Sequence, residues 1–126
     1  MTDFLDALIT LAQETQPFAT ILRGPLTSGP SIAMEAAESD VSRHMDRHEA
    51  VRTAVVINAK HPDMTTAYEA VLAIQRRLTH LPEFPSGDGW QIVDVWAEDF
   101  PRLIGREKNN TWLFATSLTG SIYYKE

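Results

Sequence analysis

The side chains best suited to chemistry sit in Arg43-His44-Met45-Asp46-Arg47-His48-Glu49, the segment richest in histidine and carboxylate. Histidines four apart meet on one face of a helix, where His44 and His48 could hold zinc with Asp46, Glu49 or His61 as a further ligand. Met45 stands where a zinc-protease motif needs glutamate, and no apolar stripe flanks the segment. The spacing therefore reads first as a solvated loop and only second as a metal site.

Other chemistries find less support. Nucleophilic hydrolysis needs a serine poised against a base, and the Gly-x-Ser-x-Gly elbow is missing. Gly87-Asp88-Gly89 lacks the spacing of a phosphate-cradling loop and precedes a strand pattern rather than a helix, so it reads as a turn. Glu98-Asp99 could exchange protons, but carboxylate pairs are ordinarily solvated. Trp90, Trp96 and Trp112 could stack bases; Trp96 and Trp112 lie in strand patterns where core packing is the usual role, and no basic groove accompanies them. No catalytic residue, metal ligand or cofactor is assigned.

The elements that would position these residues follow from periodicity. From Trp112 the large apolar residues take every second place (Trp112, Phe114, Leu118, Ile122, Tyr124), which is strand patterning with one face on a core. A strand over 111–124 would reach roughly 45 Å at about 3.3 Å per residue. It should project past the sheet or bend, and Gly120 is the expected bend. Just upstream, Pro101 to Glu107 mixes arginines and a glutamate with apolar side chains, and reads as a contact loop. Its Arg102 and Arg106 would pair with surface acids or face a partner, because arginine and aromatic residues are enriched at binding hot spots.

Toward the N-terminus, Thr2 can cap a helix with Asp3 and Asp6 in its first turn and Leu5, Leu8, Ile9 and Ala12 as its apolar stripe. Pro17 marks the stop. Short strands are expected over 19–23 and 31–38, with a polar connection over 38–49. A central strand rich in β-branched residues should span 50–60. Asp63 then caps a second helix whose stripe runs Met64, Ala67, Val71, Ile74, Leu78, Leu81, and Leu81-Pro82 ends it. After a Pro/Gly loop, 90–97 is another strand. The order α-β-β-β-α-β-β, with strands joined directly, implies an α+β fold: one antiparallel, possibly mixed, sheet with two helices packed on it.

With 126 residues the chain fits one domain, 1–126, large enough for a core without staples. A net charge of −6 argues against a dedicated nucleic-acid binder, and the lack of cysteine excludes a disulfide scaffold. The apolar run 4–11 is too short for a bilayer, so a soluble protein made in the cytoplasm is expected.

Several stretches in this order carry a resemblance: Thr20-Ile-Leu-Arg-Gly-Pro-Leu26, Ser31-Ile-Ala-Met34, Val55-Val-Ile-Asn-Ala-Lys-His-Pro-Asp63, Gln91-Ile-Val-Asp-Val95, Pro101-Arg-Leu-Ile-Gly-Arg-Glu107, Trp112-Leu-Phe114 and Ser121-Ile-Tyr-Tyr124. Together they make the chain resemble the minor capsid and tail terminator proteins of long-tailed phages. The resemblance implies an α+β structural subunit of the virion and no enzyme. Its copies would form a ring, a hexamer in that family, that caps the tail tube and meets the head-tail connector while DNA passes through the lumen. Pro101, Arg102, Gly105, Arg106, Glu107 and Trp112 match the family's pattern and are the expected interface positions, whereas 43–49 departs from it. A neck or head-completion protein of the same particle is the alternative, and a small metal-dependent enzyme a more distant one.

Overall fold

In the computed structural model the described residues are 2–27, 29–43, 48–82, 84, 86–87, 89–97, 100–107 and 111–125. In chain order they form α1 (Thr2–Gln13), β1 (Ile21–Arg23), β2 (Ser31–Arg43), β3 (His48–His61), α2 (Met64–Thr79), β4 (Ser86–Gly87), β5 (Trp90–Ala97), β6 (Arg102–Arg106) and β7 (Trp112–Lys125). The strands make one mixed sheet in the order β1-β2-β3-β7-β5-β4, with β6 also on β7. Both helices pack on one face of it. There Leu5, Leu8 and Ala12 of α1 and Ala67, Val71, Ile74 and Leu78 of α2 join Ile32, Met34, Val55, Ile57, Ala59, Ile92, Phe114, Leu118 and Ile122 in a single core.

The sheet is mixed because β1 runs parallel to β2, contrary to the antiparallel pairing expected of strands joined without a helix. At three residues β1 is only about 10 Å long, so residues 24–30 suffice to carry the chain back to its start. Gly24, at φ 107°, begins that return, and its N–H donates to the Met34 carbonyl at 3.1 Å. Upstream, α1 ends at Gln13, before Pro17. Gln16 takes a left-handed φ of 55° just beyond, and the Ile21 N–H donates to the Gln13 side chain at 2.9 Å.

The polar stretch expected as a connection over 38–49 is instead mostly strand: β2 continues to Arg43 and β3 begins at His48, with Arg43 opposite Glu49. β3 is itself paired with β7 as far as Lys125, and this ladder gives β2 a template that outweighs its polar composition. In α2, Asp63 caps as expected, accepting from the Thr65 N–H at 3.2 Å and the Thr66 hydroxyl at 2.7 Å. The helix ends at Thr79 rather than Leu81. Met64, at the first position of the expected stripe, is exposed, while Gln75 is buried.

The last strand does not project past the sheet: its ladder with β3 runs without a register shift from His61–Trp112 to His48–Lys125, with Gly120 opposite Thr53. A register shift does fall in the β5 ladder, between Ile92 and Asp94. Since β3 holds one edge of β7 throughout, the other edge is shared. β6 takes Trp112–Ala115 and β5 takes Leu118–Tyr124, both antiparallel to β7. So β5 and β6 run in line, as two segments of one border.

Candidate assembly surface

Residues 101–107 were expected as a loop and form the edge strand β6, because Leu103 and Arg106 register against Phe114 and Trp112 in the ladder with β7. Pro101 is buried at its start, Arg102 is exposed, and Gly105 is half-buried beside a register shift. The Glu107 N–H donates to the Thr111 carbonyl at 2.8 Å and closes the strand's far end. The Arg106 guanidinium lies over the half-buried Trp112 ring, 5.4 Å from its centroid, in cation–π geometry. The Glu107 carboxylate meets the Lys60 ammonium at 3.3 Å. Of the six expected interface positions, Pro101, Arg102, Gly105, Arg106 and Glu107 thus lie on or beside the border strand β6, and Trp112 lies on the adjoining β7, paired on both sides. Trp112, Arg106 and Glu107 also spend contacts on holding that border in place.

Three neighbours in the same stretch were not singled out from sequence. Phe100, Leu103 and Ile104 are 68%, 49% and 56% exposed, and they account for most of the large exposed apolar side chains among the described residues. The sequence signal was present: Phe-Pro-Arg-Leu-Ile puts three large apolar residues beside an arginine with no helical or alternating period to bury them. Among the described residues no strand pairs with the outer edge of β6, or with β5 beyond Gln91. Such an edge presents unpaired N–H and C=O groups to any strand that approaches. Between β5 and α2 lies an open groove of about 1270 Å³, lined among others by Leu72, Arg76, His80, Trp96 and Phe100.

Of the residues weighed for chemistry, several fall outside the described ones. His44, Met45, Asp46 and Arg47 lie outside the described residues, as do Glu98, Asp99 and Asp88. His61 stands edge-on to Phe18, with ring centroids 4.7 Å apart, and its Nδ1 accepts from the Asp63 N–H at 2.9 Å. Among the described residues no three metal-ligating side chains gather. Trp90 packs against the core and over Gly87, and Trp96 lines the groove. No helix of the described residues is long and apolar enough to cross a membrane.

No protein-family model matches the chain, and neither does any curated protein. Among solved structures it is similar to a chain in the virion of a native gene transfer agent particle. That match has 18% identity and a TM-score of 0.58, and covers 94% of this chain and 84% of that one. At this identity the likeness is one of fold.

Proposed function

We propose that the protein is a structural subunit of a phage-like virion, and more narrowly a tail terminator. On this reading its copies close into a ring, six in number as in the family it resembles, which caps the tail tube and meets the head connector. It transforms no substrate. The observation that carries the reading is the border of β6, unpaired among the described residues, with Phe100, Leu103 and Ile104 exposed along it. The fold shared with a chain of a gene transfer agent virion supports it. The net charge of −6 suits a lumen through which DNA moves without being held, because an acidic wall repels phosphate.

Negative-stain electron microscopy of the purified protein, alone and with the tail-tube protein, tests this. Rings are expected, seated on the end of the tube when it is present. A protein that stays monomeric under both conditions overturns the proposal, and rings that bind only the connector would move it to the neck.

A further inference from the structure

The groove between α2 and β5 has a helix as one wall and a strand edge as the other. Beyond Gln91 no strand pairs with the outer edge of β5 among the described residues, so 94–97 offers backbone donors and acceptors there. Beside Trp90 and Gln91, β4 closes that edge at one end, and Phe100, 68% exposed, lines the other.

The topology fixes how the helix runs along this edge. α2 starts just after His61, which is level with Trp112, and the chain leaving it reaches β4 beside Gln91, which is level with Tyr123. So α2 runs with β7 and against β5, and Leu72, Arg76 and His80 line the groove in order from its Ala97 end toward its Asp94 end. Four residues apart, they form one row with about 6 Å between successive members. Alternate side chains of a strand recur every 6.6 Å or so, at about 3.3 Å per residue. A strand laid on β5 therefore brings every second side chain against one member of the row.

Register assigns the faces. Val95 and Ala97, opposite Gly120 and Leu118, lie on the helix-bearing face, whereas Asp94 and Trp96, opposite Ser121 and Thr119, lie on the other. The α2 wall of the groove thus carries cations and apolar groups, and no carboxylate among the described residues. Arg77 on that wall is engaged by Glu14. Arg76 is exposed and has no acidic partner among the described residues, a charge left unanswered in a chain of net charge −6.

We propose that this groove binds an extended segment of a partner protein, which adds to 94–97 as an antiparallel strand and carries an apolar residue two positions before a carboxylate. The apolar side chain meets Leu72 and the carboxylate meets Arg76. Backbone pairing supplies attachment, and these two side chains supply selectivity. Antiparallel addition is favoured over parallel because its ladder is slightly the more stable. On the far face, the residue between the two lies beside Trp96 and suits an aromatic side chain; the residue after the carboxylate lies beside Asp94 and suits lysine. From N to C the recognised pattern reads apolar, aromatic, acidic, basic. The site does not depend on the ring reading, because a monomeric subunit carries it whole.

The probe is the capped peptide acetyl-Thr-Val-Tyr-Glu-Lys-Thr-amide, titrated into the isotope-labelled protein and followed by NMR. Binding should shift the backbone amide signals of 94–97 and slow their hydrogen exchange. Lysine in place of the peptide's glutamate, or Arg76→Glu in the protein, should each weaken binding at least about tenfold, and the two changes together should restore it. Circular dichroism of the exposed-site variant controls for folding. No shifts at millimolar peptide overturn the proposal. Affinity indifferent to both charge changes, or shifts on α2 that leave 94–97 untouched, overturns it in favour of a merely apolar cleft. Self-association of the parent that Arg76→Glu abolishes overturns it in favour of a second copy in the groove.

Discussion

Lys60 of β3 reaches Glu107, at the end of β6, with its ammonium 3.3 Å from the carboxylate, yet the lysine side chain is 6% exposed and the glutamate 44%. The two partners are therefore not equivalent. Glu107→Ala leaves an ammonium shielded from water without its counter-charge and should cost about 1.5 kcal/mol, whereas Lys60→Met leaves a carboxylate free to hydrate and should cost less. Urea unfolding of the two variants measures the difference; equal losses would show the pair to be an ordinary surface contact.

Arg106 over Trp112 ties the same border to β7 from the other face of the sheet. Arg106→Gln should lower stability by about 0.5 kcal/mol, the range of an exposed cation–π pair. Trp112→Ala, which also removes packing against the core, should cost several times more. Thermal melts of both variants give the ratio.

Gly87 and Trp90 fit together only because the former has no side chain. A Cβ on Gly87 would stand 2.2 Å from the indole Nε1 of Trp90, so the rigid ring must move. Gly87→Ala should destabilise by about 1–3 kcal/mol, the cost of forcing a packed side chain aside. It should also shift the Trp90 indole N–H signal in an NMR spectrum, which a loop-only effect would leave in place.

Asp63 caps α2 through two hydrogen bonds, to the Thr65 N–H and the Thr66 hydroxyl. Asp63→Ala should remove about 1 kcal/mol and lower the melting temperature by about 4 °C. Asp63→Asn should retain most of that, because its amide oxygen still accepts from the helix.

The candidate border was half legible before the structure was known. The mixture of Arg102, Arg106 and apolar residues around Pro101 marked 101–107 as a contact segment. Its identity as a strand did not show, because five residues containing a glycine carry no usable period. Phe100, Leu103 and Ile104 belong to the same signal, and only their exposure in the folded chain separates a contact surface from core. The reach of β2 and β3 past residue 38 was hidden for a related reason: polar residues take strand conformation there because a partner strand offers its backbone.

By itself the sequence determined the elements whose side-chain period is set locally: α1, α2, β5, and the alternating faces of β3 and β7, where burial repeats every second or every third and fourth residue. It also determined the acidic charge and the lack of thiols. Only the tertiary structure decided how the strands pair. Hydrogen bonds between strands join residues far apart in the chain and leave no trace in local spacing. That is why the parallel β1 and the sharing of β7 between β5 and β6 became visible only when the sheet was assembled.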